Sequence, residues 1–339
     1  MAIEPERILL AHGGGGQLTS QLIRERIVPK FRNEALAELA DAARLELSSP
    51  AICFTTDSYV VKPLFFRGGD IGKLAVCGTV NDLAVSGARP VALSLSLIIE
   101  EGFEFESLDR ILQSISDAAR QNHVVIVTGD TKTVERGSAD GIFINTSGIG
   151  VRLENVELGL SRIQVGDRVL VSGSLGDHGM TIISQREGIS FESQLSSDCA
   201  ALAELTGLLF EKVPGIRFMR DPTRGGLAAT LNEVVEGSRL SIEVQERQIP
   251  IKPSVQAAAD MLGFDVLNAA NEGKFVAIVP PEAAQACLNI CRQHPLGAEA
   301  EIIGEVVRTR DVPLVEMVTK IGGRRVVQMP YGRELPRIC

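Results

Sequence analysis

The chain has 339 residues, enough for two domains of ordinary size and too many for one simple core. Hydrophobic residues make up 45% and charged residues 23%, the balance of a soluble globular protein rather than a disordered one. A net charge of −9, no Trp and 4% aromatics exclude a broad phosphate-backbone interface or a base-stacking platform, so no nucleic-acid partner is expected.

In chain order, apolar pairs Leu18/Leu22 and Ile23/Ile27 predict an early helix over about 17–28. The segments 51–57, 93–99, 123–129 and 141–150 read as strands, rich in β-branched residues and bounded by Gly or Asp. Between them, 70–87 and 107–122 read as helices with Asp70 and Ser107 as N-caps. A polar connection over 151–167 ends in the turn Val165-Gly166-Asp167, and a second α/β unit begins with RVLVSG. That unit holds a helix punctuated by Asp221-Pro222 at its start and Gly237 at its end, later strands LSIEVQE and KFVAIVP, and the helix EAAQACLNICRQH. No internal repeat is present.

After about residue 320 the periodicity fades, which predicts a mobile tail. Extended at ~3.3–3.6 Å per residue, the stretch from Pro330 to Cys339 reaches about 30 Å. No run approaches the ~20 apolar residues of a membrane span, and the apolar part of MAIEPERILLAHGGGG is too short for a secretion signal. Six scattered Cys with no disulfide framework place the chain in the reducing cytoplasm. Cys287 and Cys291, four apart in an apparent helix, have no partners for a metal site and read as packing residues.

Acidic residues recur at segment ends: Asp57 closing a strand, Asp82 beside Asn81 in a helix, Asp130 after a strand, Asp221 opening a helix, Glu272 before a strand. Singly these are caps and turn residues. Together they form a set of hard oxygen donors suited to Mg²⁺ and phosphate. The run His12-Gly13-Gly14-Gly15-Gly16 leads into a helix, where backbone N–H groups favour anions, although it lacks the Lys of a Walker A loop. It reads either as a phosphate contact or as a flexible linker. Lys132, in Gly129-Asp130-Thr131-Lys132, reads as a phosphate contact or a solvated surface cation. Cys339 is the last residue; a thiol on a travelling tail suits a carrier, and Arg333 and Arg337 are placed to favour its thiolate.

These motifs coincide with one family. HGGGG (12–16), FTTDS (54–58), GTVNDLAVSGARP (78–90), TGDTKTVE (128–135), SLGDHGM (174–180), DPTRGGLA (221–228), NEGK (271–274) and PRIC (336–339) resemble the HypE family of hydrogenase maturation proteins, the carbamoyl dehydratases. That family belongs to the PurM-like ATP-binding superfamily, and the resemblance covers essentially the full length. It implies an α/β (α+β) two-domain fold: an ATP-binding domain over 1–155, a C-terminal domain over 156–320 and a mobile tail over 321–339.

The resemblance further implies a homodimer that dehydrates a carbamoyl group on Cys339 to a thiocyanate, with ATP and Mg²⁺. HypF would supply the carbamoyl group, and the HypC–HypD scaffold would receive the cyanide on iron. Residue by residue, it assigns Asp57, Asp82, Asp130 and Asp221 to metal and Asn81, Lys132 and Gly13–Gly16 to nucleotide. Glu272 becomes either the base or another ligand, and His178 either a site residue or a turn-ordering one. The nearest rivals are another enzyme of the superfamily, such as selenophosphate synthetase, and a non-enzymatic ATP-binding scaffold. The first lacks its expected Cys near the glycine run, since the first Cys here is Cys53.

Overall fold

The structure is a computed structural model that describes residues 7–13, 16–37, 43, 45–189, 195–236, 238–309, 311–330 and 338–339. Short helices α1 (Gly16–Gln21) and α2 (Glu34–Ala37) precede the first sheet. β1 (Ile52–Tyr59) follows, then a two-residue ladder of β2 (Phe65–Phe66) and β3 (Gly69–Asp70). Helix α3 (Ile71–Val85), β4 (Ala88–Glu100), α4 (Phe105–Gln121), β5 (Val125–Val134) and β6 (Ile142–Arg152) complete this half. The sheet order is β1-β6-β4-β5, with β4 and β5 parallel across the α4 crossover and the other pairs antiparallel.

Alternation builds this sheet. Leu93, Leu95, Leu97 and Ile99 of β4 are buried on one face, as are Ile142 and Ile144 of β6. α4 meets that core through Leu108, Ile111, Leu112 and Ile115, the spacing of one helical face. α3 is apolar nearly all round and lies buried beneath the sheet, started by the Asp70 carboxylate, which accepts from Gly72 and Lys73 N–H at 2.8 and 3.1 Å. Asp70 is therefore the cap expected. Ser107 is not: α4 begins at Phe105, and Glu104 holds the cap position without a side-chain bond. Phe103 and Phe105 both pack on the core, and that contact draws the helix start two residues upstream.

The second half comprises β7 (Arg168–Val171), α5 (Asp177–Arg186), α6 (Ala203–Lys212), β8 (Phe218–Arg220) and α7 (Gly226–Val235). It continues through β9 (Leu240–Gln245), α8 (Pro253–Leu262), β10 (Val276–Val279), α9 (Pro281–Gln293), β11 (Glu301–Arg308), β12 (Val315–Val318) and β13 (Arg324–Val326). Its sheet order is β13-β12-β9-β11-β7-β10-β8, antiparallel except for β9 and β12. One core cluster runs through both halves and includes Ile338, while Cys287 and Cys291 are fully buried in a second cluster under α9, as packing residues.

Two expectations for this half need correction. Asp221 does not open a helix, because α7 starts at Gly226 with Gly225 at the cap; its expected end, Gly237, lies outside the described residues. The segment from 321 is also not a free tail at its described ends. β13 pairs with β12, Ile338 is 2% exposed, and a main-chain oxygen of Cys339 accepts from Val60 N–H at 3.2 Å. Among the described residues no helix is long and apolar enough to cross a membrane.

Candidate active site

The site is built where α3 and β1 of the first half meet three connections of the second. Thr55, Asp57 and Tyr59 alternate along the inward face of β1. Thr55 Oγ1 donates to Asp82 Oδ2 at 2.7 Å, and Tyr59 Oη donates to Asp57 Oδ2 at 3.4 Å. Gly78 of α3 makes room for that phenol: a Cβ there would stand 2.3 Å from Tyr59 Oη. Asp221 enters from the β8–α7 connection and Glu272 from the segment before β10, 9% and 2% exposed.

Electrostatics confirm that these acids share one space. Burial pushes Asp82 up to about 6, with the charge of Asp57 adding to it and the Thr55 hydrogen bond opposing. Burial pushes Asp221 up to about 7, reinforced by Asp82 and Asp57. Glu272 is raised well above the carboxylate range by burial, then by Asp221, Asp198 and Asp57. Its Oε1 is buried with no hydrogen-bond partner among the described residues. The Cys339 thiol is driven up by burial first and by Glu272 next, with Arg224 opposing. A set of carboxylates that raise one another in this way fits a cation, which reverses the sign of the local field. Among the described residues no three of His, Cys, Asp or Glu close on a metal unaided.

Asp57, Asp82, Asp221, Glu272 and Cys339 therefore come together. Asp57 lies within β1 rather than closing it, and Asp130 lies within β5 rather than after it. Asp130 and Lys132 are not brought to the cluster within one chain. Register aligns Asp130 with Ser96, Asn145 and Ser58, whereas Asp57 aligns with Thr146, Leu95 and Gly129. Directly paired residues share a face, so the two aspartates stand on opposite faces of one sheet. Lys132 Nζ bonds Asp130 Oδ1 at 2.8 Å, and that bond, opposed by slight desolvation, holds the Asp130 carboxyl below its ordinary value. Both residues line a cavity of about 470 Å³ with Thr19 and Ser20 of α1, the helix that follows the glycine run. Gly13 ends a 3₁₀ turn that includes His12, and Gly16 opens α1; Gly14, Gly15, Arg333 and Arg337 lie outside the described residues.

Asn81 corrects a further expectation. Its side chain is 1% exposed and fully engaged with backbone: Nδ2 donates to Ala200 O and Glu272 O at 3.0 and 3.1 Å, and Oδ1 accepts from Leu202 N–H at 2.8 Å. These bonds brace α3 against the second half and turn both ends of the amide toward backbone rather than toward the acids. The residues not anticipated as site members are Thr55, Tyr59 and Asp198. The first two were signalled by i, i+2, i+4 alternation with Asp57. Asp198, whose Oδ1 accepts from Glu272 N–H at 3.0 Å, carries no sequence signal.

Comparison with known proteins places this geometry. The N-terminal domain family of AIR synthase related proteins matches residues 39–152, and the corresponding C-terminal domain family matches 164–315. Carbamoyl dehydratase HypE of Bradyrhizobium diazoefficiens is 52% identical over 97% of this chain and 95% of its own. A crystal structure of hydrogenase maturation protein HypE in complex with ATP superposes with a TM-score of 0.94 at 45% identity, covering 98% of this chain and 99% of that one. A HypE–HypF complex superposes at 0.79 with 46% identity, covering 91% and 99%. With two PurM-like halves closing on the buried acids and the seated C-terminal cysteine, the chain belongs to the HypE family of carbamoyl dehydratases, enzymes of hydrogenase maturation.

Proposed function

We propose that the chain binds Mg-ATP and dehydrates a carbamoyl group carried on the Cys339 sulfur to a thiocyanate. The observation that carries this reading is the seating of Cys339 among Glu272, Asp57 and Asp221. An amide oxygen is a poor leaving group, so dehydration requires it to be phosphorylated first. The S-carbamoyl oxygen displaces ADP from the γ-phosphorus of ATP as one amide proton leaves. Expulsion of phosphate with loss of the second proton gives S–C≡N, so the net change is carbamoyl plus ATP to thiocyanate, ADP and phosphate. Such transfer needs positioning and charge neutralisation more than covalent help.

Asp57, Asp82 and Asp221 would hold Mg²⁺, which supplies charge neutralisation when bound. Glu272, when ionised, would take one amide proton: burial and its neighbours make its carboxylate form a stronger base than an ordinary one. Lys132 contributes to nucleotide binding at the cavity it lines with Thr19 and Ser20, and the glycine run Gly13–Gly16 is a second nucleotide contact. The seated thiol is kept protonated and is a poor nucleophile. Carbamoylation by HypF therefore belongs to a state in which Cys339 has left this pocket, and the cyanide is passed on to an iron-bearing HypC–HypD complex. A second copy of the chain covers the outer face of the first sheet, where Phe54, Ile52 and Ile98 are 66%, 47% and 41% exposed beside Asp130 and Lys132. A cysteine carrier with all six thiols free suits a reducing cytoplasm.

Intact mass spectrometry tests the reading. Carbamoylated protein given Mg-ATP loses the mass of one water at Cys339 as ADP forms, and Cys339→Ala abolishes this while retaining ATP binding. Loss of water at another cysteine, or ATP hydrolysis without dehydration, overturns it.

A further inference from the structure

We propose that His178 is a positioning residue: as a neutral imidazole protonated on Nε2, it seats the last two residues so that the Cys339 sulfur faces the carboxylate pocket. His178 Nε2 lies 2.9 Å from the Ile338 carbonyl oxygen. A carbonyl only accepts, so Nε2 bears the hydrogen. Full burial favours the neutral ring, in which Nδ1 is then the acceptor for the Ser197 hydroxyl at 2.8 Å, and Ser197 Oγ in turn accepts from Cys199 N–H at 3.0 Å. The three bonds run in one direction, from the Cys199 amide to the Ile338 carbonyl, and leave one imidazole tautomer.

The ring itself is fixed before the tail meets it. Gly176, with φ of 83°, turns the chain into α5, and a Cβ there would strike Val255 and Val266 at 2.9 and 2.8 Å. Ser174 Oγ and Lys252 Nζ hold the neighbouring Asp177 carboxylate at 2.5 and 3.1 Å. Phe66 meets the imidazole edge-on at 5.5 Å, and the ring is wholly buried. Val60 N–H, just after β1, donates to a main-chain oxygen of Cys339 on the other side. The last two residues are therefore clamped by one bond from each half of the molecule. The inference rests on the proposed reaction only for what the seated sulfur does; the seating is independent of it.

Two measurements test it. In unaltered protein labelled with ¹⁵N-histidine, the His178 ring nitrogens should show a protonated Nε2 and an unprotonated Nδ1 at pH 7.5. The opposite tautomer, or an averaged one, overturns the assignment without any substitution. In the second, Cys339 is alkylated with iodoacetamide and read by peptide mass, with Cys53 as internal reference. Loss of one net hydrogen bond predicts labelling about threefold to tenfold faster in His178→Phe, and largely restored protection in His178→Gln, whose amide N–H replaces Nε2. Equal labelling in all three proteins overturns the proposal. In single turnovers the Phe variant should slow dehydration while ATP half-saturation holds. If neither protein dehydrates but the labelling differs as stated, the reaction assignment fails and the seating stands.

Discussion

Asp57 and Asp130 occupy strands of the same sheet, each beside a threonine, yet they live in opposite worlds. On the inner face the charge of Asp57 adds to the burial that pushes the carboxyls of Asp82, Asp221 and Glu272 upward. On the outer face Asp130 sits in solvent with Lys132, side chains 59% and 61% exposed, and its value falls. Residue type and local sequence are nearly the same. What differs is which face of a β-strand each residue lands on and what packs against that face. A carboxylate set in the first environment stores electrostatic repulsion that a cation can release; a carboxylate in the second stores almost none.

The largest expected effect comes from removing the brace of the inner face. Asn81→Leu removes the hydrogen bonds to the Ala200 and Glu272 carbonyls and from the Leu202 amide in a buried setting, and should cost about 4 kcal/mol in urea unfolding. A loss below about 1 kcal/mol would falsify the bracing role. Next is Asp221→Asn. The folded value of Asp221 lies above its unfolded one, so its stability contribution is full below about pH 4 and is lost as pH rises through about 7. The metal-free variant should thus exceed the parent by up to about 4 kcal/mol at pH 8 and match it near pH 4, a difference that parallel thermal melts would detect.

Gly78→Ala drives a methyl against the Tyr59 hydroxyl and should destabilise by about 1–2 kcal/mol by displacing that ring; an unshifted urea midpoint would show that the phenol has room to move. The smallest effect belongs to the outer face. Lys132→Ala should change stability by less than about 0.5 kcal/mol, as exposed pairs do, while weakening Mg-ATP binding. Unchanged nucleotide titration would remove Lys132 from the site and leave the inner acids as its whole substance.

Much of this was legible in the amino-acid order. The strands of the first sheet, the Asp70 cap of α3 and the acidic motifs follow from alternation and from side-chain chemistry that acts within a few residues. Asn81 was not legible, because an amide beside an aspartate looks like a ligand until its partners, 119 to 191 residues away, are in place. Asp198 escaped for the same reason. Ser107 and Asp221 looked like caps; tertiary packing of Phe103 and Phe105 moved one helix start, and Gly225 took the other.

The C-terminus marks the same divide. Its composition, with glycines, prolines and charges, carries no helical periodicity, and the PRIC motif carries a resemblance that implies the chemistry of the cysteine. Only the folded structure decided that Ile338 is buried and bonded to His178, and that Cys339 is bonded to Val60. Local sequence sets what a segment resists becoming. Where it rests depends on hydrogen-bond partners drawn from two distant halves of the chain, which only the tertiary fold brings within reach.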